Sequence, residues 1–200
     1  RDAQESRGLG DVYKRQRQNY DDSIKEQVGV VISLLSEINN EYKAGRYSLD
    51  EAKKIAADEI RQMRYGNGGY FWVDQSDGKN VVLLGSSTEG TNRMNTKDAD
   101  GYQMVKEIIR VAVQDGGGYT DYVFPKEGET EPSPKRSYSE YFKPFDWVVG
   151  TGNYTDYIDT AIAQQDEEFT SYASSKSYFT YYMQCMYAYC CCYTRCPHRN

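Results

Sequence analysis

The segment Gly116–Asp159 constrains the fold more than any other part of the chain. Three runs within it, Tyr119–Phe124, Arg136–Phe142 and Trp147–Thr151, are rich in alternating aromatic and β-branched residues. A loop rich in proline, glycine and charge, Pro125–Lys135, separates the first two runs. Runs of this kind joined by turn-forming residues are typical of antiparallel strands, and not of parallel α/β units. We therefore predict half of a small antiparallel sheet, with one face available to a ligand, a helix or water.

The other half of the predicted sheet lies earlier in the chain. Tyr70–Asp74 alternates in the same manner, and a turn at Gln75–Gly78 joins it to a returning strand, Asn80–Leu84. The polar loop Gly85–Lys97 then leads to a helix that we predict over Ala99–Gln114. The inward-facing residues of this helix are expected to be Met104, Val105, Ile108, Val111 and Ala112.

Two helices are predicted before the sheet. The first has an apolar stripe at spacings of three and four residues, formed by Tyr20, Ile24, Val28, Val31, Leu35, Ile38 and Tyr42. The stripe either packs against the domain's own helices or also forms a coiled-coil-like seam with a second copy of the chain. This helix is expected to end near Ala44 and Gly45, because glycine tolerates a left-handed cap. A capping box at Ser48–Glu51 begins the second helix, which is predicted to end before Gly66.

The order of these elements predicts an α+β fold. An acidic helix over Tyr154–Tyr172 follows the last predicted strand. The expected arrangement is a PAS-like five-stranded antiparallel sheet with a long N-terminal helix, a crossing helix and a C-terminal helix. We place the long helices at residues 17–65, the PAS-like core at 66–153 and the exit helix at 154–173.

Both ends of the chain differ in composition from this middle portion. Arg1–Gln16 lacks helical or strand periodicity, and residues 174–200 contain no acidic residue but hold all five cysteines. We expect both segments to be non-native or disordered and exclude them from the fold. A zinc site built from Cys192, Cys196 and His198 would lack paired CxxC spacings, so no metal site is predicted.

The composition excludes several classes of function. The formal net charge of -6 argues against a nucleic-acid binder, which needs a basic face. The lone histidine, His198, lies in the excluded tail, so a histidine-based triad or acid–base pair cannot be built. No glycine pattern of a nucleotide-binding loop opens a helix, and no run of 18 apolar residues encodes a membrane span. We therefore predict a domain that is not an enzyme and binds no cofactor.

Five motifs in order resemble the single Cache sensor domains. They read GGYFWVDQSDGKNVVLL, STEGTN, DADGYQMVKEII, GGGYTDYVFPKEGE and SPKRSYSEYFKPFDWVVGTGNYTDYID, and the resemblance runs from about Tyr20 to Ala163. It implies an extracytoplasmic module of a bacterial methyl-accepting chemotaxis protein or sensor kinase, with a membrane helix on either side of the domain. In one departure, Leu84–Ser87 stands where many relatives carry a His-Pro pair.

The resemblance also implies a pocket over the sheet for a small organic anion or an amino acid. Such a pocket needs a cation, hydrogen-bond donors and an aromatic wall. Tyr70 and Trp72 share one face of their strand and are expected to form the wall, the alternative being plain core aromatics. Arg93 in the polar loop is expected to clamp a carboxylate, the alternative being a solvated loop charge.

A second cation and two hydroxyl groups complete the predicted pocket. Lys135 lies in the SPKRSY motif and matches a position that is usually lysine in the family, and we expect it at the pocket rim. Arg136 is the fallback cation and is expected to be exposed. Tyr122 and Tyr138 are expected to supply hydroxyl groups. The candidate ligand-binding residues are therefore Tyr70, Trp72, Arg93, Tyr122, Lys135 and Tyr138.

The sequence thus favours a ligand-sensing domain of a transmembrane chemoreceptor. Ligand binding would favour one arrangement of the sheet against the flanking helices, and the N-terminal helix would form a homodimer contact. The alternatives are a Cache domain of a membrane histidine kinase, and an extracellular protein-binding module whose pocket is filled by its own aromatic side chains. The expected location is the cell membrane, with this domain outside the cytoplasm.

Overall fold

The computed structural model of the chain describes residues 2–66, 68–156 and 171. It contains three α-helices in this part of the chain: α1 (Asp2–Lys43), α2 (Leu49–Gln62) and α3 (Met104–Gln114). The strands are β1 (Arg64–Tyr65), β2 (Gly69–Gln75), β3 (Asn80–Leu83), β4 (Gly118–Pro125), β5 (Pro132–Phe142) and β6 (Trp147–Tyr154). A short 3-10 turn, Lys143–Phe145, connects β5 to β6.

These strands form one antiparallel sheet in the order β1-β2-β6-β5-β4, and β3 pairs with β2 beside β1. The predicted α+β class and antiparallel PAS-like sheet are therefore confirmed. The sheet has one more strand than predicted, because the two-residue strand Arg64–Tyr65 pairs with Gly69 and Tyr70. A strand of two residues is too short to show an alternating pattern in the sequence.

Helix α1 buries the predicted stripe against α2 and one face of the sheet. Ile24, Val28, Val31 and Leu35 are all 0% exposed, and the helix ends at Lys43, before Gly45 in a left-handed conformation. The helix begins at Asp2, whereas no helix was predicted for residues 1–16. A helix that has formed extends at the gain of one backbone hydrogen bond per added residue, without needing an apolar stripe. A seam with a second copy stays a prediction.

Helix α2 begins where the capping box predicts. The Ser48 hydroxyl accepts a hydrogen bond from the backbone N–H of Glu51, and the Glu51 carboxylate accepts one from the Ser48 N–H at 2.8 Å. Its buried face consists of small residues and one isoleucine, namely Ala52, Ala56, Ala57 and Ile60. These short side chains let α2 lie close to α1 and the sheet.

Helix α3 begins five residues later than predicted. The side chain of Asp98 accepts hydrogen bonds from the N–H groups of Asp100 (3.1 Å) and Tyr102 (2.8 Å). These bonds close a turn, in which Gly101 has a φ of +84°, and an Asx turn of this kind competes with helix formation. The inward residues of α3 are buried as predicted, and Ile109 is buried with them.

The hairpin β4–β5 is longer than predicted. Strand β5 begins at Pro132, so the loop expected at Pro125–Lys135 is reduced to residues 126–131. Pro132 and Pro134 are tolerated because β6 pairs with β5 only from Lys135 onwards, which leaves the prolines at an edge. Lys135 is consequently a strand residue opposite Tyr122, and not a residue of the loop at the pocket rim.

The sheet separates two layers of the domain. One face packs against α1 and α2 through a large apolar cluster that includes Phe71, Phe145 and Trp147. The other face packs against α3 through a smaller cluster that includes Trp72 and Val148. Strand β6 continues to Tyr154, and the predicted exit helix after Asp156 and the tail at 174–200 lie outside the described residues, apart from residue 171.

Candidate functional site

A cavity lies between α3 and the sheet face that α3 covers. The free space at this site is about 290 Å³ including the part that is open to solvent, and the centre of a water-sized sphere can occupy about 20 Å³ of it. The residues that line it are Tyr70, Trp72, Leu83, Arg93, Met104, Val105, Ile108, Tyr122, Phe124 and Lys135. Five of the six candidate ligand-binding residues therefore meet at one cavity, the exception being Tyr138.

Lys135 lies at the centre of this arrangement. Its side chain is 2% exposed, and its Nζ donates a hydrogen bond to the Tyr70 hydroxyl at 2.7 Å. Four aromatic rings surround the ammonium group, with centroids 4.4 to 5.3 Å from Nζ: Tyr70, Trp72, Phe124 and Tyr154. Ring faces attract a cation, but they leave its charge without a counter-ion.

No carboxylate among the described residues lies within salt-bridge distance of Lys135. Burial and, as the smaller cause, the positive charge of Arg93 together lower the pKa of Lys135 to about 7. Burial removes water from the ammonium group and Arg93 repels it, so both effects disfavour the charged form. An anion entering the cavity would reduce that cost.

Arg93 is buried beside Asp74 and is not a solvated loop charge. Its Nε and one terminal nitrogen donate to the two carboxylate oxygens of Asp74 at 2.9 and 2.6 Å. Asp74 is 0% exposed and also accepts from the Asn80 side chain at 2.9 Å. The loop reaches this position because it folds back on the β2–β3 turn, where the Arg93 N–H donates to the Gly78 carbonyl at 2.8 Å.

Tyr70 and Trp72 point to the same side of β2, as alternation predicts. The Trp72 indole packs over Gly150 of β6, where an added Cβ would lie 2.5 Å from the ring. Its buried N–H has no hydrogen-bond acceptor in the part of the chain that the structure describes. Burial raises the pKa of Tyr70, so this phenol stays neutral beside Lys135.

The two tyrosines chosen as hydroxyl donors lie on opposite faces of the sheet. Tyr122 lines the cavity directly across from Lys135, and burial raises its pKa. Tyr138 lies on the α1 face, where its ring contacts Tyr119 at 5.0 Å and Lys25 lies 5.8 Å away. Because side chains alternate along a strand, a residue three positions after Lys135 cannot share its face. The expectation that Tyr138 belongs to the pocket is therefore wrong.

Arg136, the fallback cation, also lies on the α1 face. Its guanidinium donates to both carboxylate oxygens of Asp21 at 2.6 and 2.8 Å and to Asp121 at 2.6 Å. Its side chain is 14% exposed, in contrast to the exposed position expected. Arg136 therefore anchors α1 to the sheet and takes no part in the cavity.

Sequence reasoning missed Tyr154, which it placed at the start of the exit helix. The Tyr154 ring lies 5.0 Å from Lys135 Nζ, and its hydroxyl donates to the Pro125 carbonyl at 2.6 Å. It shares its face of β6 with Val148 and Gly150, so alternation along a longer β6 would have found it. The apolar wall from Leu83 and Phe124 was missed as well.

Within residues 2–66, 68–156 and 171, no cluster of histidine, cysteine and acidic side chains is arranged to hold a metal ion. The zinc ligands considered in the tail lie outside this range. None of the helices in the same residues is long and apolar enough to cross a membrane.

Comparison with known proteins points to one family. The model of the family described as Single Cache domain 2 matches residues 16–168. A similar protein is the methyl-accepting chemotaxis protein McpP of Pseudomonas putida, which is 28% identical over 157 residues. The alignment covers 78% of this chain but only 28% of that protein, so the chain spans about a quarter of its relative's length.

Two solved structures have similar folds. A periplasmic sensor domain of a chemotaxis protein is 30% identical with a TM-score of 0.64, and the match covers 70% of this chain and 95% of that one. A Cache chemosensory domain described in terms of carboxylic acid recognition is 26% identical with a TM-score of 0.68. That match covers 70% of this chain and 97% of the other, so nearly all of each solved domain is matched.

Proposed function

Because the chain belongs to the Single Cache domain 2 family, we propose that it is the extracytoplasmic sensor domain of a bacterial chemoreceptor that binds short monocarboxylates. The observation that carries the proposal is the buried Lys135 ammonium, which has no carboxylate partner among the described residues. A buried charge needs a counter-ion or loses its proton, and a ligand carboxylate would supply that counter-ion. The likeness to a domain that recognises carboxylic acids supports the same ligand class.

The distribution of charge favours a monocarboxylate over an amino acid. An amino acid would need an acceptor for its ammonium group as well as a donor for its carboxylate. Both oxygens of Asp74 are bound by Arg93, and one of them also accepts from Asn80. Lys135 and Arg93 would in addition repel a ligand ammonium group. A ligand with one negative charge and no positive charge fits this balance best.

The size and walls of the cavity favour a ligand of few carbons. The cavity is small, because the centre of a water-sized sphere can occupy only about 20 Å³ of it, and this favours a ligand of few carbons. On the side opposite Lys135, the wall from α3 is apolar and consists of Met104, Val105 and Ile108. A short alkyl chain would pack there while the carboxylate faces the sheet.

Each polar residue has a distinct role in this proposal. Lys135 would donate a charge-assisted hydrogen bond to the ligand carboxylate. The Trp72 indole N–H and the Tyr122 hydroxyl belong to side chains that line the same cavity and would act as neutral donors. Arg93 would contribute positive potential from its fixed position on Asp74, while Tyr138 has no role because it lies on the other face.

The receptor context rests on the relatives. The similarity to McpP supports a chemotaxis receptor, and the similarity to a periplasmic sensor domain supports a location outside the cytoplasm. The alternative of a protein-binding module predicts a pocket filled by its own aromatic side chains. The rings around Lys135 instead enclose an unpaired charge, which favours a small anionic ligand.

Calorimetric titration of the full chain with propionate, L-alanine and propanamide tests this proposal. The three ligands have the same carbon chain and differ in charge. Propionate is expected to give saturable binding, and L-alanine and propanamide to bind at least about 100-fold more weakly, which corresponds to about 2.7 kcal/mol. Equal binding of L-alanine would contradict the monocarboxylate assignment. Absence of saturable binding for acetate and propionate alike would remove the sensor proposal.

A further inference from the structure

Among the residues that the structure describes, the groups that face Lys135 supply no negative charge. From the sheet, Tyr70 of β2, Tyr122 of β4 and Tyr154 of β6 face it with neutral phenols. The loop after β3 contributes a second cation, Arg93, which Asp74 holds in place. The residues of α3 that line the cavity are Met104, Val105 and Ile108, which do not ionise.

The tyrosines cannot serve as counter-ions near neutral pH. Burial raises the pKa of Tyr70 and of Tyr122, and it raises the pKa of Tyr154 to about 12. The next ion pair outward is Lys126 with Asp156, at 2.5 Å, in which the acid is already bound by a lysine. The charge state of Lys135 in the empty cavity is therefore set by burial and by the repulsion from Arg93.

We propose that binding of a carboxylate in this cavity is coupled to the uptake of a proton from solvent by Lys135, so that the domain responds to carboxylate concentration and pH together. This inference rests on the proposed function of the same cavity. With burial holding the pKa of Lys135 at about 7, part of the empty domain carries a neutral amine at neutral pH. A bound carboxylate stabilises the ammonium form and raises that pKa, so binding and protonation favour each other.

The sign of the pH dependence follows from this linkage. Below about pH 7 the lysine is already protonated, so ligand binding takes up little or no proton and affinity is highest. Above about pH 7 the Lys135 amine is mostly neutral, and binding requires it to take up a proton from solvent. The apparent Kd therefore rises about tenfold per pH unit. The rise ends where the pH passes the higher pKa of Lys135 in the complex.

Calorimetric titration of the full chain with propionate at several pH values between about 6 and 8.5 measures this uptake. At each pH, two buffers with different ionisation enthalpies give the number of protons bound per ligand. We expect this number to rise from near zero at about pH 6 towards one at about pH 8, with Kd increasing in parallel. Propionate itself stays ionised over this range, so its own titration does not contribute.

Lys135→Arg is the matched variant, because guanidinium stays protonated throughout this range. It is expected to bind propionate without proton uptake and with a Kd that does not change with pH. The exposed Lys143→Arg is the control and should behave as the wild type does. If Lys135→Arg does not fold, the comparison of buffers on the wild-type chain decides the question.

The outcomes separate the two proposals. Binding of propionate with equal heats in both buffers and a constant Kd between about pH 6 and 8.5 would overturn the proton linkage and leave the sensor proposal intact. Absence of propionate binding at every pH would overturn both. Proton uptake in the wild type that persists in Lys135→Arg would assign the titration to another group and overturn the role of Lys135.

Discussion

Lys135 and Arg136 are consecutive residues of β5, yet the two faces of the sheet treat their charges in opposite ways. On the α1 face, Arg136 donates to both oxygens of Asp21 and to Asp121. On the α3 face, Lys135 donates to the neutral Tyr70 hydroxyl and has no acid beside it among the described residues. Among the described residues, the fold therefore supplies acids for one of two neighbouring cations and none for the other.

Neutral polar groups show the same contrast between the faces. On the α1 and α2 face, the Thr151 hydroxyl donates to the Tyr70 carbonyl at 2.6 Å and lies 2.7 Å from the Tyr65 hydroxyl. On the α3 face, the buried Trp72 N–H and the buried hydroxyls of Thr120 and Ser139 have no partner in the described part of the chain. Buried polar groups are usually paired, and of these three residues only Trp72 lines the cavity, so its N–H is the one that bears on the proposed ligand.

The largest expected effect comes from removing the acidic partner of Arg93, the second cation on the α3 face. Asp74→Ala removes the carboxylate that holds Arg93, which is buried with it. Loss of one partner of a buried ion pair typically costs about 3–5 kcal/mol, because the remaining charge is buried alone. Urea denaturation should show this loss, while the exposed Asp100→Ala changes stability little. A loss below about 1 kcal/mol would mean that Arg93 reaches solvent when Asp74 is absent.

Lys135→Met should have the next largest effect, and it should act on binding and not on folding. Removing the ammonium is expected to weaken propionate binding about 100-fold, or about 2.7 kcal/mol. The free energy of unfolding should stay the same or increase, because replacing an unpaired buried charge by an apolar side chain removes a desolvation cost. Calorimetry and urea denaturation measure the two quantities, with the exposed Lys143→Met as control. A destabilised variant that still binds propionate would contradict the role given to Lys135.

Lys135→Met should also change how the stability of the domain depends on pH, because of the pKa of Lys135. A lysine whose pKa is lowered in the folded state binds fewer protons there than in the unfolded chain. Wild-type stability without ligand should therefore rise with pH above about 7 relative to that of Lys135→Met. Thermal unfolding of the two chains across about pH 6 to 9 checks this difference. Parallel curves would show that the amine titrates normally in the folded domain.

Arg136→Met should have the opposite effects to Lys135→Met, because it should lower stability and leave propionate affinity unchanged. It removes three charge-assisted hydrogen bonds and should lower stability by about 1.5–3 kcal/mol. Propionate affinity should stay within about twofold of the wild type, because the guanidinium lies on the other face of the sheet. Urea denaturation and calorimetry on the same samples separate the two effects. Loss of affinity without loss of stability would reverse the assignment of the two faces.

The sequence alone could predict those features of the site that depend on neighbouring residues, but not those that depend on contacts between distant residues. Local patterns predicted α2 from its capping box and the shared face of Tyr70 and Trp72 from alternation. The partner of Arg93 could not be predicted, since Asp74 lies nineteen residues earlier and meets it only after the loop folds back. The unpaired state of Lys135 was also beyond local patterns, because it depends on every element that faces the residue.

The error on Tyr138 is of a different kind. Alternation from Lys135 already places Tyr138 on the opposite face, so the information was present in the sequence. It was not applied because Lys135 was taken as a loop residue, and the alternation of a strand does not extend into a loop. The prolines, the glycine and the charges of Pro125–Lys135 suggested that loop, and the tolerance of Pro132 and Pro134 at an edge beyond β6 is a tertiary feature.

The smallest expected effect tests whether the helical layer acts as scaffold alone. Ser48→Ala removes the side-chain cap of α2 while leaving both faces of the sheet unchanged. Loss of such a cap typically lowers stability by about 1 kcal/mol, and the exposed Ser23→Ala in α1 offers a matched control. Propionate affinity and its pH dependence should stay at wild-type values, because neither Lys135 nor the groups facing it contact Ser48. A change in affinity larger than about twofold would mean that α2 also determines the geometry of the cavity. The structural face and the proposed binding face would then be coupled, and the contrast between them would have to include that coupling.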